Sequence, residues 1–193
     1  MDLKGRRGFL GIVTGCTAGV CAGTCLPAAA AEGPKSWTEK DKIDIGASGP
    51  EIIKKAYQLG VEYHTKYGNC AQTSVAALQD SVPFVPKDEL VFMAASPLSG
   101  GATRTRTASC GAFTGSGLVI GSLCGRTRAN FAGKAPLPGE LILPLSDRVA
   151  GTWGSVLCNE IRPKVDGKCP EVVGRIASWA AEILLKQFTN YRA

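Results

Sequence analysis

The stretch CPEVVGRIASWAAEILLKQF, residues 169–188, decides the fold class of this 193-residue chain. Its apolar side chains recur every three or four residues, and this spacing places them on one face of an α-helix. Pro170 suits the first turn of a helix, where its missing N–H leaves no hydrogen bond unmade. The positions expected to face the core are Val172, Val173, Ile176, Trp179, Ile183, Leu184 and Phe188. The stretch therefore predicts an amphipathic helix that must pack against other elements.

The same periodicity predicts helices through the rest of the chain. Apolar residues from Ile52 to Tyr67 form a helical stripe that ends at Gly68, and Asn69 is placed to cap a second helix over residues 70–80. Further helices are predicted over residues 87–95, 110–123 and 140–157, the last interrupted at Pro144. No strand pattern is persuasive. We therefore predict an all-α fold, a compact bundle of about five or six helices.

The first 31 residues have the pattern of an export signal. Basic residues at positions 4, 6 and 7 precede 24 uncharged residues that end in an alanine-rich run. The run Arg6-Arg7-Gly8-Phe9-Leu10 resembles a twin-arginine signal. Glycines four residues apart would also suit a retained membrane-anchoring helix, and Val13-Thr14-Gly15-Cys16 resembles a lipobox. We expect a cleaved signal over residues 1–31, a linker over 32–49, a helical domain over 50–193, and a periplasmic protein that is membrane-anchored if the signal is retained.

Composition argues against several functional classes. The 22 Lys and Arg residues against 16 Asp and Glu residues give a mild net charge of +6, without a basic run interleaved with aromatic residues. Nucleic acid is therefore not an expected partner. The single histidine excludes a His-rich metal site, and the chain has no CxxCH motif for covalent haem. No Ser-His-Asp set or glycine-rich phosphate loop supports a hydrolase or a kinase, so any enzymatic role would be that of an oxidoreductase component.

Five cysteines follow residue 31, and their positions relate them to helix ends. Cys70, Cys110 and Cys169 each lie at the start of a predicted helix, whereas Cys158 is predicted to close one. A helix N-terminus offers unpaired N–H groups and a positive dipole end, which favour the thiolate that binds metals. A domain of this size needs no disulfides to fold. The pattern predicts a shared functional site, against the simpler interpretation that each cysteine is a small buried apolar residue.

Three stretches around these cysteines resemble the C_GCAxxG_C_C family, which is described as redox-active. They are GNCAQTSVAAL (68–78), SCGAFTGSGLVIG (109–121) and CNEIRPKVDGKCPEVV (158–173). The resemblance identifies Cys70, Cys110, Cys158 and Cys169 as the family's four cysteines, with Cys124 as an additional candidate ligand. The family name writes a glycine before the central cysteine, whereas here Gly111 follows Cys110.

The resemblance implies that the four cysteines hold a redox centre. A similar module lies beside an iron–sulfur cluster in split-Soret cytochromes, although this chain lacks the haem motif of those proteins. Under this interpretation Gly111, Gly115 and Gly117 let backbone N–H groups approach the cluster sulfides, and Cys124 or His64 could replace one ligand. The implied function is that of an exported electron-transfer protein with an iron–sulfur cluster. Its expected partners are a redox protein and the twin-arginine export machinery.

Two alternatives stay open at this point. The cysteines could form disulfides in an oxidising compartment, although an odd number of them fits a thiol–disulfide redox protein poorly. The chain could instead be a non-catalytic helical subunit of a respiratory complex, with Arg104, Arg106, Arg126 and Arg128 docking an acidic partner. Association into a homo-oligomer is compatible with each interpretation.

Overall fold

The computed structural model describes residues 36–192, so the export-signal prediction lies outside the described residues. Seven α-helices occupy the described part: α1 (Gly49–Tyr67), α2 (Cys70–Ser81), α3 (Glu89–Ala94), α4 (Gly111–Cys124), α5 (Leu137–Trp153), α6 (Cys158–Lys164) and α7 (Cys169–Phe188). Two short 3-10 helices, Ser96–Ala102 and Arg128–Asn130, connect them. Within residues 36–192 the only β-type pairings are two isolated bridges. The all-α prediction is confirmed, and the expected number of five or six helices is slightly low.

Helix α7 is the centre of the bundle. It packs along α1 and also contacts α2, α4 and α5. Ile176, Leu184 and Phe188 are completely buried, as the apolar stripe predicts. Removing side chains of this size from water stabilises the fold by about 1.5–3 kcal/mol each. Trp179 lies at the edge of the core, where its ring packs against that of Trp153 at a centroid distance of 5.6 Å.

Helix α5 differs most from its predicted bounds. It runs continuously from Leu137 to Trp153 although Pro144 lies inside it. Proline has no backbone N–H, so the helix continues here with one backbone hydrogen bond fewer. Gly154 ends the helix, since its φ of 75° places it in the left-handed region that glycine adopts without strain. The predicted helix over residues 140–157 is therefore shifted toward the N-terminus. The residues after Gly154 are free to begin α6, which the sequence analysis did not foresee.

The described part of the predicted linker, residues 36–48, lies against the helical domain. The Trp37 backbone N–H donates to the carbonyl of Leu123 at 2.8 Å, and its ring centroid lies 5.2 Å from those of both Phe84 and Phe188. Further along, the Ile43 N–H donates to the carbonyl of Phe188 at 2.9 Å. We call residues 36–48 the N-terminal strap. In the described range no helix combines the length and the apolar character needed to cross a membrane.

Candidate functional site

Four cysteines from four separate parts of the chain line one cavity of about 300 Å³. Cys70 begins α2, Cys110 immediately precedes α4, Cys158 begins α6 and Cys169 begins α7. All are free thiols; the first three are buried and Cys169 is half-buried. The structure thus brings together the four cysteines that the sequence analysis singled out. The prediction that Cys158 closes a helix is wrong, because Gly154 has already ended α5.

Backbone pairing holds Cys110 and Cys158 on neighbouring segments. The Cys110 N–H donates to the carbonyl of Val156 at 2.8 Å, and the Cys158 N–H donates to the carbonyl of Ala108 at 3.0 Å. These hydrogen bonds form a short antiparallel pairing just before α4 and α6 begin. The relative position of the two cysteines is therefore fixed by the main chain, independently of any bond between their sulfurs.

Cys70 is positioned by the cap of α2 and by a glycine of α4. The Asn69 side chain accepts a hydrogen bond from the Gln72 N–H at 3.1 Å, as the predicted cap requires. The Cys70 sulfur lies 3.5 Å from the Ser99 hydroxyl oxygen. A Cβ at position 111 would overlap the Cys70 sulfur and lie 3.0 Å from the Leu98 carbonyl oxygen. Gly111 therefore makes room for the sulfur at the cavity.

The other two glycines named with Gly111 have different surroundings. A Cβ at Gly115 would overlap the carbonyl oxygen of Ala71, so this glycine permits close packing of α4 against α2. A Cβ at Gly117 would lie 3.4 Å from Cδ1 of Ile142, on α5. Neither residue lines the cysteine cavity. Of the three glycines expected to approach a cofactor, the structure places only Gly111 against a cysteine.

Cys124 lies apart from the other four cysteines. It ends α4 while Cys110 precedes it, and the 1.5 Å rise per residue separates the two by about 20 Å. Its buried thiol donates to the Ile120 carbonyl at 3.2 Å. The structure therefore places Cys124, the additional candidate ligand, away from the cavity that the other four cysteines line. The fourteen-residue spacing of Cys110 and Cys124, at opposite ends of the helix predicted over residues 110–123, already indicated this separation.

The four cavity cysteines lie in a part of the chain that matches a known protein family. The family model described as "Putative redox-active protein (C_GCAxxG_C_C)" matches residues 67–183, which is more than half of the chain and includes all four cavity cysteines. The chain belongs to the C_GCAxxG_C_C family. No curated protein and no solved structure matches the chain.

Burial opposes ionisation of three cavity cysteines, Cys110, Cys158 and Cys169. Burial, together with the nearby Cys70 and Cys158 sulfurs, raises the pKa of the Cys110 thiol to about 12, although the backbone N–H groups of Ala112 and Phe113 act in the opposite direction. Burial also raises the pKa of Cys158 and of Cys169. The helix-start argument for thiolates is thus outweighed by desolvation. Without a bound group, the neutral thiols are favoured.

Two arginines supply positive charge to the cavity. Arg106 and Arg162 both line it, and both oppose the effect of burial on the pKa of Cys158 and of Cys169. The sequence analysis treated Arg106 only as a surface residue. Its place at the cavity follows from a loop in which the residue itself adopts a left-handed φ of 58°, which no sequence pattern indicated.

His64 completes the cavity wall from α1. Its Nδ1 atom is buried and has no hydrogen-bond partner among residues 36–192. Burial lowers the pKa of its imidazole, which favours the neutral form. His64 is thus available either as a ligand or as a hydrogen-bonding group within the site.

The arrangement of these side chains limits what the site can hold. Within residues 36–192, no three His, Cys, Asp or Glu side chains converge closely enough to hold a metal ion. A single ion bound by thiolates at about 2.3 Å would need sulfurs only about 4 Å apart. A multinuclear cluster requires less convergence, because its ligands bind different metal atoms. The described residues therefore offer four free thiols along one cavity without a ready-made single-ion site.

Proposed function

We propose that this family member is an electron-transfer protein whose cavity cysteines bind an iron–sulfur cluster. The ligands would be Cys70, Cys110, Cys158 and Cys169. The convergence of these four thiols on one cavity is the observation that carries the proposal. Four cysteine thiolates are the usual protein ligands of such clusters, and a bound cluster supplies one-electron oxidation and reduction.

The charges around the cavity support the proposal. Thiolates bound to a cluster bring negative charge into a buried place, and such charge is costly unless positive groups lie nearby. Arg106 and Arg162 are those groups, since both act on Cys158 and Cys169. Because burial raises the pKa of these thiols, ligation must displace their protons. We therefore expect proton release on loading and tighter loading as the pH rises.

The test uses the full chain, purified without oxygen and reconstituted with iron and sulfide. We expect visible absorption that bleaches with dithionite, with iron and acid-labile sulfide in comparable amounts. Single serine substitutions at Cys70, Cys110, Cys158 and Cys169 should each reduce bound iron severalfold. Cys124→Ser is the matched control, because this thiol is also buried but lies at the other end of α4. It should retain wild-type iron.

Two results would contradict the cluster. One is a folded wild-type protein, verified by circular dichroism, that takes up neither iron nor sulfide. The other is iron that Cys124→Ser removes as effectively as the four cavity substitutions do. Circular dichroism of every variant separates loss of ligands from loss of fold.

A thiol–disulfide protein is the second candidate, and one structural observation favours it. With Cys124 remote, the cavity holds an even number of cysteines, so the objection from an odd count no longer applies. In exchange, a cavity thiolate would attack a partner disulfide, an internal S–S bond would then form, and the partner would leave as two thiols. The intact mass of the protein after exposure to an oxidised dithiol reagent distinguishes this candidate from a cluster-binding protein. Loss of two hydrogens per bond in an iron-free protein would support this candidate.

We also propose that the chain reaches the periplasm by twin-arginine export, which moves folded proteins. The support is the Arg6-Arg7-Gly8-Phe9-Leu10 run and the uncharged stretch after it. Fractionation of cells should find the chain in the periplasm, and Arg6→Lys with Arg7→Lys should retain it in the cytoplasm. Recovery in the membrane fraction after a carbonate wash would instead indicate an anchored protein.

A further inference from the structure

Exposed basic side chains lie on the two chain segments that contribute Arg106, Arg162 and three of the cysteines to the cavity. The two segments that flank it, residues 103–110 and 158–169, carry five basic and two acidic side chains. Lys164 among them is engaged, because its ammonium donates to the Trp153 carbonyl at 2.5 Å. The remaining four are exposed, and we call them the cationic rim: Arg104, Arg106, Arg162 and Lys168.

The cationic rim is not neutralised by the protein itself. No rim side chain forms an ion pair with a carboxylate of residues 36–192. Two arginines elsewhere do form ion pairs: Arg148 with Glu182 at 2.5 Å and Arg175 with Glu171 at 2.9 Å. The rim therefore presents a positive field to whatever approaches the cavity mouth.

The rim is continuous with the cysteine site. Arg106 and Arg162 line the cysteine cavity and also an open depression beside it, where the other lining residues are Asn159, Pro163, Gly167 and the acidic Asp166. A molecule bound in this depression would touch the same guanidinium groups that face the cysteines. The cysteine cavity and the depression beside it thus share the side chains of Arg106 and Arg162.

We propose that the cationic rim docks the acidic surface of a redox partner protein, with Arg106 and Arg162 at the centre of the contact. This inference rests on the proposed function, because it assigns the electron-transfer site its partner. The four rim cations are spread over two chain segments, which suits the several carboxylates of an acidic protein surface. The contact places the partner directly over the half-buried thiol of Cys169 and the cavity behind it.

The test measures docking of the full chain to a plant-type ferredoxin, a small acidic electron carrier, by calorimetry without oxygen. The rim variant is Arg106→Gln with Arg162→Gln. The matched control is Arg126→Gln with Arg128→Gln, which removes the same charge from two exposed arginines beyond the far end of α4. We expect binding that weakens as salt increases. The rim variant should bind at least about fivefold more weakly than wild type, and the control should stay within about twofold.

The outcomes separate this inference from the cluster proposal. Absence of ferredoxin binding at low salt, or equal weakening by both variants, would overturn the inference. Binding to phosphatidylglycerol vesicles that the rim variant weakens, without binding to ferredoxin, would assign the rim to a membrane surface instead. Docking is measured on iron-free and reconstituted protein alike. Rim-dependent docking of a chain that never binds iron would therefore refute the cluster and leave the docking surface intact.

Discussion

Replacing Gly115 by alanine should destabilise the protein, although alanine is the better helix former. In an open helical position Gly→Ala gains about 1 kcal/mol. At Gly115, however, the new Cβ would overlap the carbonyl oxygen of Ala71 and lie 3.0 Å from its Cα. Because carbon atoms normally stay about 3.5–4.0 Å apart, α2 and α4 would have to separate by about 0.5–1 Å. Overpacking costs about 1–3 kcal/mol, and a backbone obstacle belongs at the upper end. The net loss should be about 2 kcal/mol.

Gly121→Ala provides the control on the same helix. Gly121 is exposed, and a Cβ there would meet nothing within 4 Å, so this variant should gain the full helix propensity of about 1 kcal/mol. For a domain of this size, thermal unfolding should fall by about 4–8 °C for Gly115→Ala and rise by about 2–4 °C for Gly121→Ala. Circular dichroism under reducing conditions gives both values. A Gly115→Ala protein as stable as wild type would refute the close packing of α2 on α4.

Three further perturbations test other parts of the structure. Burial raises the pKa of Cys110 to about 12, above an unfolded value of about 8.5. Its contribution is therefore complete below the unfolded pKa and is lost as the pH rises toward the folded one. Urea unfolding of reduced, iron-free protein should show a larger loss of stability from about pH 7.5 to 9.5 in wild type than in Cys110→Ser; equal losses would contradict this. Trp37→Ala removes a ring packed on Phe84 and Phe188 and should cost about 3 kcal/mol; unchanged stability would show that the N-terminal strap contributes nothing. The Arg148 hydrogen bond lowers the pKa of Glu182. Glu182→Gln should therefore cost about 1 kcal/mol at neutral pH. The deficit should vanish as the pH falls through the folded pKa, because the wild-type contribution exists above the unfolded pKa and is lost on protonation; a deficit independent of pH would contradict the ion pair.

Hydrophobic periodicity predicted the long helices well but missed α6. Twelve residues of α7 are buried, so its sequence shows a clear apolar stripe at helical spacing. Helix α6 has seven residues, only two of them buried, and contains Pro163. A helix of about two turns with so few buried residues shows no clear hydrophobic period in the sequence. Because α6 was not predicted, Cys158 was wrongly assigned to the end of the preceding helix.

The site was predictable in its cysteines but not in its charges. The resemblance to the family identified the four thiols, and Cys124 was separable from them by its spacing on α4. The place of Arg106 depends on a loop where Ala102 and Arg106 both adopt a positive φ, a conformation that non-glycine residues seldom take. Such a loop is set by its pairing with the segment before α6, and long-range pairing leaves no local signal.

Burial and nearby positive charge act in opposite directions on the thiol pKa values of Cys158 and Cys169. Desolvation favours neutral thiols, whereas the Arg106 and Arg162 guanidinium groups favour thiolates at Cys158 and Cys169. Neutral thiols need no counterions, so the protonated forms of Cys110, Cys158 and Cys169 place no buried negative charge in the cavity. Under the proposed function, a bound metal centre would reverse the balance, because coordination would deprotonate the thiols and the guanidinium groups would then face the resulting charge. The two arginines therefore matter more to the loaded site than to the fold. Their removal should weaken binding of a cluster while leaving the unfolding free energy of the empty protein nearly unchanged.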